Sequence, residues 1–499
     1  MIRYRERFIT DANAKWWALA AMCFALFMVM LDNTVMNVAL PSIQREFDAS
    51  IGALEWAING YTLAFAVLLA IGGRLGDIFG RRRGFLFGVA VFALSSATAG
   101  LAPSEAALVA SRVVQGIGAA FMMPATLSII THAFPAEERG KAIGTWAGVS
   151  ALALAVGPVL GGFLTEEVSW RAIFYINLPV AAGAILASLF AVRESRDETV
   201  GREVDFAGVA TLAAGLTAFV LALVEGNAWG WSSPGIIALL AGGTALLGAF
   251  VAIELHVRAP MVEFGFFRDR QFLGANAVAF IVSFAMLGMF FFMALYMQNI
   301  LGYSPLEAGV RFLPSTLMIV VIAPLAGRLT DRIGPRAPIV AGLLIVTVSL
   351  YLQSLVGVDT GYGQLFLPFV LMGIGMALVM SPMSTAAMNA VEVTKSGLAS
   401  GILSMSRMVG GTFGVAVLGA IFQAGTGVTI GGSPAAFVDA LGTSLTIGAA
   451  VTLAGALIAA LTLSGRVRRP RTSDAAAEAA AAEAVATGGE VAVEPASLR

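Results

Sequence analysis

Apolar runs of about 20 residues recur along the chain, separated by short polar stretches that hold most of its Lys and Arg. A run of that length crosses a bilayer as a helix, because a rise of about 1.5 Å per residue matches a hydrocarbon core of about 30 Å. The pattern predicts fourteen spans, near 17–40, 53–73, 84–102, 105–131, 141–165, 170–192, 205–225, 234–255, 272–299, 305–327, 337–356, 363–388, 397–423 and 440–463. With both termini in the cytoplasm, 25 of the 30 basic residues fall in cytoplasmic segments, two in outer loops (Arg45, Arg171) and three within spans (Arg112, Arg311, Arg407). Positive charge normally marks the cytoplasmic side in this way, and a miscounted span would scramble the alternation.

The composition agrees: 58% of residues are hydrophobic, only 12% are charged, and the mean hydropathy is +0.86. Soluble domains carry about a quarter charged residues. The single cysteine, Cys23, lies inside the first span, so no disulfide framework is implied. A basic N-terminus before an apolar run also begins a signal peptide, but this run is too long and no small-residue cleavage site follows, so it reads as a retained helix. The expectation is an all-α polytopic membrane protein in the cell membrane, with loops too short for a soluble catalytic domain. The Ala- and Glu-rich tail reads as a disordered cytoplasmic extension, with a frayed surface helix as the alternative.

Residues 72–83, GGRLGDIFGRRR, return in weakened form as GRLTDRIGPR at 327–336, with six of ten positions identical at an offset of 254. Other landmarks repeat at nearly that distance, including Gly116 and Gly118 with Gly373 and Gly375, Pro124 with Pro382, and Gly157 with Gly414. Both copies follow the second span of a set of six and lie on the cytoplasmic side, so the repeat is parallel and spans 1–6 correspond to 9–14. The expected division is a cytoplasmic N-terminus (1–16), an N-terminal six-helix bundle (17–192), an inserted pair of helices with flanking loops (193–258), a C-terminal six-helix bundle (259–465) and the tail (466–499).

Charges at mid-membrane are costly and usually functional. Asp32 in span 1 and Arg112 in span 4 reach a similar depth, and Arg407 in span 13 is also near the midplane. An acid and a base at one depth can exchange partners when the acid takes a proton; a static ion pair, or an Asp bonding the backbone around Asn33 and Thr34, is the alternative. The segment at 72–83 reads as a hinge with a charge lock: Gly73 and Gly80 permit close approach and a sharp turn, Asp77 bonds an Arg or sits at a helix N-terminus, and Arg81, Arg82 and Arg83 anchor the cytoplasmic face or serve only as topology signals. Span 5 carries Gly144, Gly148, Gly157, Pro158, Gly161 and Gly162, which suit a moving seam between halves and are also ordinary membrane packing. The sequence Ser304-Pro305-Leu306-Glu307 is a capping box that starts span 10, with Glu307 and Arg311 one turn apart as a structural pair.

Together these segments resemble the fourteen-helix drug:proton antiporters of the major facilitator superfamily over residues 17–463. LDNTVMNVALP at 31–41 is similar to the span 1 motif of that branch, GGRLGDIFGRRR to the loop motif of the whole superfamily, LVASRVVQGIGAA at 108–120 to the span 4 motif, and GTWAGVSALALAVGPVLGG at 144–162 to the antiporter motif of span 5, with Ala153 where the pattern has glycine. WRAIFYINLP at 170–179 and YMQNILGYSPLEAGVRFLP at 296–314 also look typical of the branch. The resemblance implies a major facilitator fold, two six-helix bundles plus the inserted hairpin, that exports apolar drugs or related small molecules by alternating access in exchange for protons. Asp32 and Arg112 would couple protons, while Gly73, Asp77, Gly80, Arg81, Arg82, Gly157, Pro158, Gly161 and Gly162 would serve conformational change. It also implies that spans 1, 4, 9 and 12 line a central cavity. Methionine stripes fall on two of them, Met286, Met289, Met293 and Met297 in span 9, and Met372, Met376, Met380 and Met383 in span 12. Flexible, polarizable methionine suits varied apolar ligands and is equally a packing residue. Asn33, Gln115 and Arg407 complete the expected cavity set.

Asp32 is read as the one carboxylate deep in the membrane, with Glu55, Glu225 and Glu307 toward outer ends, so the expected substrates are neutral, zwitterionic or monocationic. A lipid or metabolite exporter and a proton-linked uptake symporter fit the same fold. A membrane enzyme or a receptor is the reading from another class. His132 and His256 are the only histidines, neither in a ligand motif, and no GxxxxGK phosphate loop is present. No cofactor, metal or nucleic-acid partner is expected; the partners are protons, a small apolar molecule and the bilayer, and the expected state is a monomer.

Overall fold

The computed structural model of the chain describes residues 13–196, 205–257, 260–391, 396–426 and 433–465. The tail expected at 466–499, and parts of the N-terminal and inserted segments, lie outside these residues. The described chain is helical without strands: α1 (Ala14–Phe47), α2 (Ile51–Phe79), α3 (Arg81–Gly100), α4 (Glu105–Ala133), α5 (Ala136–Glu167), α6 (Ala172–Tyr175), α7 (Asn177–Ala191), α8 (Phe206–Trp229), α9 (Pro234–Glu254), α10 (Arg270–Asn299), α11 (Pro305–Arg311), α12 (Leu313–Ile333), α13 (Arg336–Ser354), α14 (Tyr362–Asn389), α15 (Ser396–Thr426) and α16 (Pro434–Thr462). The pairs α6–α7 and α11–α12 each make one span, giving fourteen helical segments long and apolar enough to cross a membrane. The expected count holds, and an even number places both ends of the bundle on one side.

Polar residues start the helices where the sequence interrupts its apolar runs. Ser50, Ser104, Ser233 and Ser433 each accept a hydrogen bond from the backbone N–H three residues on, which satisfies a donor that no helical carbonyl reaches. Ser304 forms the full capping box with Glu307. Arg311 lies 3.8 Å from the Glu307 carboxylate and stacks 3.8 Å from the Tyr303 ring centroid, so this pair is structural, as expected.

Two expectations about element boundaries need correction. Span 1 does not stop near 40: the helix continues through Pro41 to Phe47 and ends at Asp48 in the left-handed conformation (φ 49°). Its last two turns expose Arg45 and Glu46 while Pro41, Ile43 and Gln44 stay buried. The glycine- and arginine-rich segment at 72–83 is also not a loop. Its first eight residues are the end of α2, Arg81 is already the first residue of α3, and Gly80 alone joins them at φ 120°. That backbone region is nearly closed to residues with a Cβ. The second copy repeats the device at Gly334, φ 81°.

Helices α1–α7 pack as one bundle and α10–α16 as the other, while α9 packs chiefly on α8 and α8 reaches across to α2 and α15. The bundles meet along two seams, α2 against α15 and α5 against α11 and α12, with α1 against α10 between them. On the second seam the spacing is set by the absence of side chains. A Cβ at Gly157 would overlap Thr34 Oγ1, and one at Gly161 would lie 2.8 Å from Val35 Cα, so α5 lies flat against α1. One at Gly162 would sit 2.5 Å from the Pro305 carbonyl oxygen, and one at Gly309 would overlap the Pro158 carbonyl oxygen, so α5 lies flat against α11 of the other half as well. The α5 glycines thus serve both contacts at once.

Hydrogen bonds between the halves gather toward the end away from the termini. Gln298 Nε2 donates to the Val38 carbonyl at 2.8 Å, Asn299 Nδ2 to Gln44 Oε1 at 3.1 Å, and the Leu306 N–H to Glu166 Oε2 at 3.0 Å. Thr62 and Thr412 share a bond of 2.7 Å across the other seam. At the opposite end packing is looser: a side chain added at Gly76, Gly144, Gly148 or Gly401 would meet nothing within 4 Å. Gly144 and Gly148 therefore do not act as close-packing residues here. The halves are drawn together at one end and relaxed at the other.

A wedge at the tight end should part it. Gly309→Val is expected to weaken the closed seam by about 1–3 kcal/mol, raising reagent access to a cysteine placed at Val38 about tenfold or more. Thiol-labelling rates in Cys23→Ser protein check this; unchanged labelling of Val38→Cys counts against the packing account.

Candidate functional site

Asp32, Arg112 and Gln115 are brought together in the interior of the N-terminal half. Arg112 and Gln115 stand three residues apart on α4, so their side chains share a face, and that face is turned to Asp32 on α1. Arg112 Nη1 donates to Asp32 Oδ2 at 2.5 Å and to Gln115 Oε1 at 2.6 Å. Gln115 Nε2 donates to Asp32 Oδ1 at 2.9 Å and to Ser96 Oγ of α3 at 2.8 Å. Asn177 Nδ2 of α7 adds a bond of 3.1 Å to the same hydroxyl. Arg112 Nε donates to the Ala57 carbonyl of α2 at 3.0 Å, and its guanidinium lies 4.3 Å from the Tyr61 ring centroid. Acid and base are each 1% exposed.

The chemistry explains the residue types. A carboxylate and a guanidinium removed from water need both mutual attraction and hydrogen bonds for their remaining lone pairs and protons. An amide between them supplies an acceptor for the cation and a donor for the anion, which Gln115 does with both groups in use. Gln115 is 0% exposed and belongs to this charge network, not to the wall of a substrate cavity, contrary to the sequence expectation. Ser96 and Asn177 went unnoticed in the sequence, since small polar residues within apolar spans carry no local signal.

Arg407 is not part of the network. It lies half-buried on α15, and its Nε has no partner among the described residues. The exchange of partners imagined between Asp32, Arg112 and Arg407 therefore reduces, in this structure, to the fixed pair Asp32–Arg112. Asn33 turns its amide back to the Val29 carbonyl at 2.9 Å and stays half-buried.

The methionine stripes divide. Met289, Met293 and Met297 are 0% exposed and Met376 is 1% exposed, all within the main apolar core. They pack against protein on every side, so they line no open cavity in this conformation. Their stripe spacing reflects the buried face of α10 and α14, which sit at the centre of the C-terminal half. Met286 and Met380 are the two of the expected set that keep partial access.

At the α2–α3 junction, Arg81 Nε donates to Asp77 Oδ1 at 2.8 Å, one turn away, so Asp77 bonds an Arg and does not cap a neighbouring helix. Gly73 approaches Pro124 of α4. The last turn of α7 and the chain after it strap the junction: Glu194 Oε1 accepts from the Arg82 N–H at 3.0 Å, Arg82 Nη2 donates to the Leu189 carbonyl at 2.9 Å, and the Arg81 N–H donates to the Ser195 carbonyl at 3.0 Å. Glu194, also unforeseen, ties the end of the N-terminal half back to its first repeated motif.

Comparison with known proteins supplies the wider context. The family model described as Major Facilitator Superfamily matches residues 22–415 and 317–496. The tetracenomycin C resistance and export protein of Streptomyces glaucescens is 37% identical over 412 residues, covering 83% of this chain and 77% of its own. The multidrug resistance protein Stp of Mycobacterium tuberculosis is 38% identical over 413 residues, covering 83% and 76%. Among solved structures, a bacterial homolog of the human lysosomal transporter Spinster, inward-facing and unoccupied, superposes with a TM-score of 0.65 at 19% identity, covering 90% of this chain and 97% of that one.

Removing one member of the buried pair should cost more than removing both. Arg112→Met is expected to destabilise by about 3–5 kcal/mol by leaving Asp32 unpaired, and adding Asp32→Asn should recover part of that loss. Thermal unfolding in detergent reads the difference; equal stability of the single and double variants would contradict the pairing.

Proposed function

The chain belongs to the Major Facilitator Superfamily, and from that premise we propose that it is a multi-pass protein of the cell membrane, both termini cytoplasmic, exporting small apolar molecules in exchange for protons as a monomer. The observation that carries the proposal is the sealed pair Asp32–Arg112. It is the kind of site whose energy changes most when a single proton arrives, and it lies on α1, the helix against which the α5 glycines pack. Export is supported by the names of the relatives, which describe resistance and export of an antibiotic in one case and multidrug resistance in another.

The cycle follows from charge. With Asp32 ionised, the bond to Arg112 and the bond from Gln115 hold α1 to α4. A proton on Asp32 removes the attraction, leaves Arg112 to its bonds with Gln115 and the Ala57 carbonyl, and frees α1 to shift. Because α5 packs on α1 on one side and on α11 on the other, movement of α1 is passed to the seam between the halves. That shift returns the halves from the outward-open to the inward-open arrangement, in which the tight end, read as the outer end, is closed and the cytoplasmic end is relaxed. Substrate loads from the cytoplasm or inner leaflet while Asp32 is ionised, leaves outward, and protonation from outside permits return. Gly73, Asp77, Gly80, Arg81 and Arg82 hold the cytoplasmic corner that must move as a unit, and Met286, Met380, Asn33 and Arg407 are the side chains best placed to meet substrate in the relaxed half.

Proteoliposomes with an imposed pH gradient test the reading. Substrate-induced proton flux is expected for some member of a panel of apolar compounds, and Asp32→Asn should abolish gradient-driven export while leaving the protein folded. Export against a gradient by Asp32→Asn would place the coupling elsewhere. A bis-quaternary dye should be carried poorly, since Asp32 is the one acid expected at the depth of the substrate path; robust dication transport in the same vesicles would refute that part.

A further inference from the structure

A second carboxyl group is buried in the molecule, and nothing above uses it. Glu55 is the fifth residue of α2 and is 0% exposed, although the sequence suggested a headgroup-level residue. It lies in the α2–α15 seam near the tight end. Gln423 Nε2 of α15 donates to Glu55 Oε1 at 3.0 Å, and the second oxygen, Oε2, has no partner among the described residues. Gly419, one turn before Gln423, leaves room for the carboxyl group; a Cβ there would lie within 2.4 Å of Glu55 Cδ. One turn further along α2, Asn59 is 0% exposed, and neither of its amide atoms has a partner among the described residues. Helix α8 covers the place from outside the bundle, where Asn227 Nδ2 donates to the Ala420 carbonyl at 2.6 Å.

Among the described residues no cation pairs with this acid. The charge that bears on it is Glu225 of α8, of the same sign. Arg112 of α4 reaches α2 at the Ala57 carbonyl but is engaged with Asp32 of α1, and positions two apart on a helix point about 200° apart. Glu105, at the start of α4, is exposed, and Arg407 of α15 is sixteen residues from Gln423, roughly 24 Å along the helix. An ionised carboxylate enclosed with one neutral hydrogen bond and no counter-ion costs several kcal/mol, whereas a neutral acid in the same place costs little.

We propose that Glu55 is a proton-operated latch on the outer seam: it takes a proton from the outer side as the halves close over it and returns that proton to the same side when they part. The neutral acid fits against Gly419 and under Gln423. When the seam opens, water reaches the carboxyl group, which ionises, and the anion then holds the seam open until it is neutralised again. No proton crosses the membrane by this route, so the latch makes closure sensitive to external acidity without adding to the exchange stoichiometry. It rests on the alternating-access reading for its two states and not on Asp32 as the coupling group.

The test measures the distance between spin labels on Leu101→Cys and Leu355→Cys, exposed positions of the two halves near the tight end, in Cys23→Ser/Asp32→Asn protein in nanodiscs. With Glu55 present, the ratio of open to closed seam is expected to rise between about pH 5 and about pH 9, approaching about tenfold per unit, as one linked proton dictates. Glu55→Gln should remain closed throughout, its ratio changing less than about twofold per unit. A ratio independent of pH with Glu55 present, or the same dependence in Glu55→Gln, overturns the proposal. If Glu55→Gln fails to fold, infrared spectra of the closed protein decide: the carbonyl stretch of a protonated carboxylic acid is expected and should shift in Gln423→Leu. Absence of that band, or indifference to Gln423→Leu, is equally fatal. The readouts need neither substrate nor gradient, so failure of the latch and failure of proton-coupled export are separately visible.

Discussion

An ion removed from water must be answered by the protein, and the N-terminal half is arranged around one such answer. The Asp32–Arg112 pair takes bonds from or gives them to α1, α2 and α4, and Gln115 extends the network to α3 and, through Ser96, to α7. Helices already packed in apolar contact, with Met28, Tyr61, Phe92 and Met122 in one buried cluster, are further held in one arrangement by groups whose partners cannot be exchanged cheaply. The C-terminal half contains no comparable network among its described residues. Its centre is apolar, with Phe, Met and Leu side chains of α10 and α14 filling the space. The two halves carry one repeated sequence motif, yet among the described residues one is organised by charge and the other by packing.

Between them, contact is governed by what is missing. Backbone approaches backbone at Gly161, Gly162 and Gly309, with no side chain interposed, and the polar links of Gln298, Asn299 and Glu166 lie in the same zone. Small residues allow close van der Waals contact, which is the principal attraction available where lipid is as apolar as the protein. A surface of that kind either fits or does not, so the seam has two states more readily than a continuum of them.

Much of this was legible in the sequence. Apolar run length gave the helix count, because it is set by the bilayer and not by details of packing. The capping box at Ser304 was readable since caps depend on local geometry alone. Asp32 and Arg112 stood out as charges at matched depth. What escaped was everything that depends on which face of a helix meets which neighbour. Gln115 looked like a cavity residue and bridges the ion pair in this structure; Met289, Met293 and Met297 of α10 looked like lining and lie in the core, while Met286 keeps partial access. Glu55 sits five residues from a helix start, where an acid is ordinarily at water's edge, and only the covering of α2 by α15 and α8 encloses it. The segment at 72–83 read as a loop because glycine and arginine dominate it, whereas a single glycine with positive φ suffices for the turn.

The inserted pair of helices makes the protein's circumference asymmetric. Helix α8 fills the groove between α2 and α15 with Val220 and Val224 against Ala416, and α9 stands outside it. The groove between α5 and α12 has no such cover, and Leu152, Val156, Leu317 and Val321 on its flanks are exposed to the surroundings. A molecule dissolved in the surrounding lipid therefore meets a fender on one side and a bare joint on the other. For solutes that partition into membranes, the two flanks of the bundle are not equivalent surfaces.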